Sequence, residues 1–213
     1  MKTVAIVDYG AGNLFSLMKA LRYVGASPTL VETPEAVEGS EALIIPGVGA
    51  FPAGMKALQE RGLVSAVQTY AQSGKPLLGI CLGAQLLMSD GYEFGHTQGL
   101  GCVPGRVIKF PDLAPGYRVP NINWNPVEPP EQASPKYWQG TPLAHTLPGS
   151  QYYFVHSFIC EPEDDQDILA QTTYGGFPFC SVYRRGNIVG SQFHPEKSGE
   201  VGLQFLKTFL DNL

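Results

Sequence analysis

Residues 75–88, KPLLGICLGAQLLM, limit the possible folds more than any other part of the chain. The pattern predicts a buried strand at 77–80 that turns sharply into a helix at 84–88. Gly79 and Gly83 flank Cys81 at this turn, where a Cβ atom would collide with nearby backbone. A G-x-C-x-G turn between a strand and a helix has the shape of a nucleophile elbow, which holds one side chain out beyond the sheet.

Cys81 is therefore predicted to be a nucleophile. A helix N-terminus supplies partial positive charge and unpaired N–H groups, and both favour the thiolate that attacks an electrophile. The alternative interpretation is a small buried apolar residue at the end of a strand. The two flanking glycines favour the chemical role.

Composition excludes several classes of protein. The chain has 213 residues, 44% hydrophobic and 15% charged, which predicts one α/β domain over residues 1–213. A net charge of −5 argues against a nucleic-acid or anionic membrane partner. Apolar runs are too short for a signal peptide or a membrane span. Cysteines 81, 102, 160 and 180 have neither C-x-x-C nor zinc spacing, so we expect reduced thiols, no metal and a cytoplasmic location.

Strand and helix patterns alternate in the first half of the chain. Predicted strands lie at 3–8, 28–32, 42–45 and 77–80, and predicted helices at 14–24, 52–59 and 63–72. This order predicts a mostly parallel central sheet flanked by helices, with the active site beyond the carboxyl ends of the strands.

The second half has a different pattern. Residues 91–101 are predicted to form a loop, and 111–150 contain nine of the 18 prolines, which excludes a long helix. We therefore expect an additional antiparallel excursion within the same domain. Further strands are predicted at 103–110, 152–156, 168–173, 179–183 and 188–193, with a hairpin turn at 185–187 and a closing helix at 199–210.

A nucleotide cofactor is not expected. Gly10 and Gly12 begin a G-x-G pattern, but Phe15 stands where the third glycine of a dinucleotide fingerprint belongs. The sequence also lacks a G-x-x-x-x-G-K-[ST] motif, so no cofactor is predicted.

His194 is the strongest candidate for the base that a cysteine nucleophile needs. It ends a predicted strand, and Pro195 favours extended backbone before it. Residues i and i+2 of an extended chain share a side, so Glu196 can orient the imidazole as the third member of a triad. His156 is interpreted as a structural histidine with satisfied hydrogen bonds, and His96 and His145 as exposed.

A developing oxyanion needs hydrogen-bond donors. The N–H of Leu82, which follows the nucleophile, is one predicted donor. The second is the N–H of Val48 or Gly49 in the loop at 46–49, where glycines permit a peptide flip.

The motifs GICLGAQLL, PGVGAF, YFVHSF and QFHPEKS together resemble the class I (triad) glutamine amidotransferases, whose fold is flavodoxin-like. Within that family the chain is similar, over nearly its whole length, to the HisH glutaminase subunits of imidazole glycerol phosphate synthase. The resemblance implies a triad of Cys81, His194 and Glu196 that hydrolyses L-glutamine through a thioester. It also implies that Gly49, Gln85 and Ser157 bind glutamine.

The same resemblance implies a partner. Ammonia would pass into a HisF-type (β/α)8-barrel cyclase, which makes imidazole glycerol phosphate and AICAR from PRFAR in histidine biosynthesis. Asn13, Trp124 and Lys197 match positions that face this partner and the ammonia exit.

One segment departs from the family pattern. The family has P-H-M/I-G-W-N where this chain has PNINWN, with Asn121 and Asn123 replacing a histidine and a glycine. We expect this change to alter the partner surface. A diverged relative that supplies ammonia to a different synthase therefore remains an alternative, as does a non-catalytic binding module.

Overall fold

The structure is a computed structural model that describes residues 2–131, 133–134 and 136–211. The helices are α1 (Leu14–Tyr23), α2 (Pro34–Glu38), α3 (Phe51–Glu60), α4 (Leu63–Gln72), α5 (Leu82–Leu86) and α6 (Gly199–Asp211). The strands are β1 (Lys2–Val7), β2 (Ala26–Val31), β3 (Leu43–Ile45), β4 (Leu77–Ile80), β5 (Met88–Gly91), β6 (Thr97–Gln98), β7 (Val103–Lys109), β8 (Asn121–Val127), β9 (Ser150–His156), β10 (Phe158–Pro162), β11 (Ile168–Tyr174), β12 (Phe177–Arg185) and β13 (Ile188–Ser191). Short 3₁₀ turns lie at Asp165–Asp167 and Pro195–Lys197.

One 11-stranded sheet organises the molecule, in the order β2-β1-β3-β4-β13-β12-β10-β7-β5-β6, with β11 paired to β12. The strands from β2 to β13 in this order run parallel, and helices cover them. The mostly parallel sheet flanked by helices is therefore confirmed. The antiparallel excursion predicted within 111–150 is present as β8, which pairs with β9. The main sheet also contains antiparallel pairings outside that segment, of β12 with β13, β11 and β10, and of β10 with β7. Strands β8 and β9 form a separate antiparallel sheet.

The hydrophobic core lies on both faces of the sheet. One face packs against α1 and α6, through residues such as Leu17, Leu21 and Phe205. The other packs against α3, α4 and α5, through residues such as Leu58 and Val67. Within the described residues, no helix combines the length and apolar composition that a membrane span needs.

Several predicted boundaries were wrong. The helix after Cys81 begins at Leu82 rather than Ala84 and ends at Leu86, because Met88 starts β5 and pairs with Val103. Part of the predicted loop at 91–101 pairs as β6. Tertiary pairing overrides local propensity in both places. The five-residue α2 and the strand β10 were not predicted, and α2 is too short to show a helical period.

The hairpin predicted at 185–187 is confirmed. Strands β12 and β13 pair antiparallel, with Arg185 opposite Ile188. The hairpin returns the chain to the parallel half of the sheet, so that β13 lies beside β4.

Two glycines let α5 pack closely on the sheet below it. A Cβ atom at Gly79 would lie 2.7 Å from the Cα of Ala84. A Cβ atom at Gly83 would overlap the carbonyl oxygen of Ile45, at the end of β3. Displacing backbone atoms costs more free energy than rotating a side chain. Any side chain at Gly83 must therefore push α5 away from β3.

We predict that Gly83→Ala destabilises the fold by about 3 kcal/mol or more, because its methyl group overlaps backbone. Gly25→Ala is the matched control. Gly25 has a φ of +89° and open space around its Cβ position, so alanine there costs only about 1–2 kcal/mol of backbone strain. Urea unfolding of both variants measures the difference. Equal losses would show that close packing of α5 on β3 is not required.

Candidate active site

Cys81 occupies a strained turn at the carboxyl end of β4. Its backbone angles are φ 51° and ψ −108°, in a region that non-glycine residues rarely adopt. Its N–H donates to the Ser191 carbonyl at 2.8 Å, and its own carbonyl accepts from the Gln85 N–H at 3.1 Å. The predicted elbow is therefore present, and these two hydrogen bonds hold the strained conformation in place.

His194 and Glu196 form a buried pair beside Cys81. His194 Nδ1 and Glu196 Oε1 are 2.9 Å apart, and both side chains are almost fully buried. The backbone of His194 is fixed as well, because its N–H donates to the Tyr153 carbonyl and its carbonyl accepts from Ser198 Oγ. The predicted contact between residues i and i+2 is confirmed.

The surroundings of His194 favour its charged form. Burial alone lowers the pKa of His194, but the interactions with Cys81 and Glu196 outweigh it and raise the pKa to about 10. The second ring nitrogen, Nε2, makes no hydrogen bond of standard geometry to a described residue. Catalytic hydrogen bonds are often loose before substrate binds, so Nε2 is available for proton transfer.

His156 has the opposite electrostatic environment. Burial, together with repulsion by His194, lowers its pKa to about 4 even though a backbone hydrogen bond opposes the shift. Its Nδ1 lies 2.9 Å from the Phe158 carbonyl oxygen, and its Nε2 lies 3.1 Å from Asn121 Nδ2. The interpretation of His156 as a structural histidine with satisfied hydrogen bonds is confirmed. His96 and His145 are exposed, as predicted.

Cys81 opens into a cleft of about 420 Å³. Most of the predicted site residues lie along it: Val48, Gly49, Leu82, Gln85, Ser157 and Lys197. His194 and Glu196 instead border a small cavity on the other side of the Val48 loop, together with Asn13. The structure therefore places the nucleophile between a cleft large enough for an amino acid and a buried imidazole–carboxylate pair.

The loop between β3 and α3 crosses the mouth of the cleft. Gly49 has a φ of +111°, and Val48 and Gly49 are exposed. Their N–H groups donate to no other group in the described part of the chain. The start of the loop is anchored, because the buried Tyr9 hydroxyl donates to the Pro46 carbonyl at 2.6 Å. Unpaired donors beside a nucleophile are what an oxyanion hole requires.

Comparison with known proteins shows the family to which the chain belongs. The model of the family "Glutamine amidotransferase class-I" matches residues 5–213. A protein named imidazole glycerol phosphate synthase subunit HisH 1, from Legionella pneumophila (strain Lens), is 42% identical over 99% of both chains. A HisH subunit from Methanosarcina barkeri is 43% identical over 99% of both chains. The chain belongs to the HisH branch of the class I glutamine amidotransferases.

A solved structure supports the fold assignment. The structure of PurLQS from Thermotoga maritima superposes with a TM-score of 0.73 at 19% sequence identity, over 99% of this chain and 98% of that one. At this level of identity, the likeness concerns the amidotransferase fold alone.

Gln85 is already held in place in this amidotransferase cleft. Its Nε2 donates to the Phe158 carbonyl at 3.0 Å and to Gln192 Oε1 at 3.1 Å. Both donor hydrogens are used, so the carbonyl oxygen of the Gln85 amide is the group left for a ligand. Ser157 lies next to Phe158, between β9 and β10, and is partly exposed.

Two polar residues near the nucleophile were missed by the sequence analysis. Glu93 lines the cleft, and one of its oxygens accepts from the Phe51 N–H at 2.7 Å. Gln192 is buried, and its Nε2 donates to Cys81 Sγ at 3.7 Å. Glu93 lies in a glycine-rich segment without a recognisable pattern. Gln192 precedes His194 by two residues, which was the one available signal that its side chain shares that side of the chain.

Aromatic residues form one rim of the cleft. Trp124 is 48% exposed and packs edge-to-face on Tyr153, with ring centroids 5.9 Å apart. Lys197 Nζ lies 6.0 Å from the Tyr153 ring centroid. Asn13 caps α1, where its side chain accepts from the Ser16 N–H at 3.2 Å.

Asn121, in contrast to the exposed Trp124, is fully buried. The expectation that both asparagines alter an exposed partner surface was therefore wrong for Asn121, because that side chain bonds inward to His156.

We predict that the two buried histidines titrate at opposite ends of the pH scale. Nuclear magnetic resonance of the histidine-labelled chain should show His194 charged at pH 7 and losing its proton near pH 10. His156 should stay neutral down to about pH 4. Glu196→Gln should lower the midpoint of His194 towards 6.5, because it removes one group that raises the pKa, and should leave His156 unchanged as an internal control.

The pH dependence of the free energy of unfolding should follow the pKa shifts of the same two histidines. The pKa of His194 is raised by folding, so its contribution to the free energy of unfolding is complete below about pH 6.5 and is lost as pH rises towards 10. The pKa of His156 is lowered, so its contribution is complete above about pH 6.5 and is lost as pH falls through about 4. A neutral His194 at pH 7 would contradict the assigned electrostatics.

Proposed function

We propose that this chain hydrolyses L-glutamine to glutamate and ammonia through a thioester on Cys81. The observation that carries the proposal is the placement of Cys81 on a strained elbow, between an amino-acid-sized cleft and the buried pair of His194 and Glu196. A cysteine, a base and an orienting carboxylate in this order form a nucleophilic triad.

The chemistry follows from the positions of these groups. The Cys81 sulfur, its proton transferred to His194, attacks the side-chain amide carbon of glutamine. The carbonyl oxygen becomes an oxyanion that receives hydrogen bonds from the N–H of Leu82 and from the N–H of Val48 or Gly49. His194 then donates its proton to the amide nitrogen, and the C–N bond breaks to release ammonia. Water, deprotonated by His194, attacks the thioester carbon. The C–S bond breaks, His194 returns the proton to the Cys81 sulfur, and glutamate is released.

Groups along the cleft fit the other end of the substrate. Glu93 presents a carboxylate that suits the α-ammonium group, and the amide oxygen of Gln85 is a second acceptor. Gly49 and Ser157 add backbone and hydroxyl groups to the same cleft. A zwitterionic amino acid with a side-chain amide matches this distribution of charge.

We further propose that the ammonia passes to a HisF-type (β/α)8-barrel cyclase, in a cytoplasmic heterodimer that converts PRFAR to imidazole glycerol phosphate and AICAR. The relatives at 42–43% identity are named as subunits of imidazole glycerol phosphate synthase. The exposed Trp124 and Ile122, at 48% and 59%, give the cleft rim an apolar surface that suits a partner. Asn13 and Lys197 would line the route between the two subunits.

A different synthase as ammonia acceptor is the second candidate. The observation that favours it is the departure at Asn123, which is exposed next to Trp124. Failure to bind a HisF barrel, with glutaminase activity intact, would support this alternative. A non-catalytic binding module is less consistent with the structure, because Cys81 occupies the strained elbow and His194 is paired with Glu196.

The decisive experiment measures glutamate release with and without a HisF-type barrel and PRFAR. We expect the barrel and PRFAR to stimulate turnover. In that mixture, Cys81→Ser should lower the rate roughly 10³-fold or more, because an alkoxide is far harder to form than a thiolate. His194→Ala should do nearly the same, and Glu196→Gln should cost less because the reacting groups remain. Unchanged turnover in Cys81→Ala would disprove the mechanism.

The proposed partner surface has its own test. Trp124→Ala should weaken barrel binding or its stimulation of turnover, because it removes an exposed aromatic side chain at the rim. Alkylation of Cys81 in the isolated chain should not change, since Trp124 is not in contact with the sulfur. Exposed Phe94 is a suitable control position, because it is 91% exposed and does not line the cleft. Equal behaviour of Trp124→Ala and Phe94→Ala would place the interface elsewhere.

A further inference from the structure

Gln192 connects the nucleophile to the substrate-binding side of the cleft. Its Nε2 donates to Cys81 Sγ at 3.7 Å, and its Oε1 accepts from Gln85 Nε2 at 3.1 Å. The side chain is 2% exposed, and its backbone N–H is fixed by the Ser181 carbonyl at 2.9 Å. One rigid amide therefore contacts both the reacting sulfur and a side chain that lines the cleft.

The other contacts of the sulfur make this donor important. The Cys81 thiol donates to the Val155 carbonyl at 3.8 Å, which is a contact that favours the protonated form. A thiolate can only accept hydrogen bonds, so it loses that partner and retains Gln192. Gln192 thus provides an interaction that strengthens when the thiol loses its proton.

The Tyr9 phenol and the Cys160 thiol near Cys81 do not replace this function. Burial, with the charge of Cys81 as a smaller cause, raises the pKa of the Tyr9 phenol above its usual range. Burial also raises the pKa of the Cys160 thiol. Both therefore remain neutral. The charged groups that face the site are His194 with Glu196 on one side, and Glu93 and Lys197 along the cleft.

We propose that Gln192 stabilises the Cys81 thiolate and, through the same amide, positions Gln85 to receive the substrate. This inference rests on the proposed function, in which Cys81 is the nucleophile. It assigns two effects to a single residue. Loss of the donor lowers the reactivity of the sulfur, and loss of the acceptor frees the Gln85 amide to rotate away from its substrate-binding orientation.

Alkylation of Cys81 by iodoacetamide, measured against pH in the full-length chain, tests the first effect without requiring turnover. Gln192→Met keeps the length of the side chain and removes both hydrogen bonds. We expect the alkylation rate at pH 7 to fall about tenfold or more, and the pH of half-maximal rate to rise, because a hydrogen bond to a charged group is lost. Gln204→Met is the matched control, since Gln204 lies on α6 and its side-chain amide, among the residues that the structure describes, bonds only to Thr208.

The second effect is tested by glutamine kinetics with the barrel and PRFAR present. Gln192→Met and Gln85→Met should each raise KM, and the double variant should raise it less than the product of the single effects, because both remove the same hydrogen bond. Multiplicative KM effects would overturn the positioning role. A merely structural role of Gln192 would leave the pH of half-maximal alkylation unmoved.

Folding of each variant is checked by circular dichroism. If Gln192→Met does not fold, Gln192→Asn tests the same idea, because its shorter amide cannot reach both partners, and it should also raise the pH of half-maximal alkylation. An unchanged pH profile in a folded Gln192 variant overturns this proposal and leaves the glutaminase mechanism intact. Glutaminase turnover by Cys81→Ala would instead overturn the mechanism itself.

Discussion

The parallel pairing of β4 with β13 is the interaction on which the rest of the site depends. Ile80 lies opposite Ser191, and the pairing extends one step further, because the Cys81 N–H donates to the Ser191 carbonyl at 2.8 Å. Two chain segments that are distant in sequence therefore leave the sheet at the same level. Cys81 follows one strand and His194 follows the other, so the register of this single pair brings the sulfur next to the imidazole.

The chain between these two strands builds the opposite side of the cleft. It contributes α5, which carries Gln85, and the antiparallel strands that end at His156 and begin at Phe158. The carbonyl of Phe158 accepts from Gln85 Nε2 at 3.0 Å and lies 2.9 Å from His156 Nδ1. The two halves of the sheet therefore have different roles in the site. The parallel half of the sheet supplies the nucleophile and base, and the antiparallel half supplies groups that hold the binding side chains.

Features that depend on neighbouring residues were the ones that could be predicted from the sequence. Gly79 and Gly83 predicted the elbow, and alternation along an extended chain predicted the contact between His194 and Glu196. The contacts of Gln192 could not be predicted, because its partners lie more than a hundred positions away and depend on strand register. Met88 was assigned to a helix for a similar reason, since its pairing with Val103 is visible only in three dimensions.

A chain of buried amides explains how the site accommodates an asparagine at position 121. Asn125 Nδ2 donates to Asn121 Oδ1 at 3.1 Å, which directs the Asn121 amide nitrogen towards His156 Nε2. That ring nitrogen must then accept, so the proton of neutral His156 resides on Nδ1 and is donated to the Phe158 carbonyl. A neutral ring here avoids a second cation beside His194, and the fixed tautomer keeps the Phe158 carbonyl oriented where Gln85 also binds it. The asparagine segment thus fixes the tautomer of His156 in the cleft wall and also forms the surface beside Trp124.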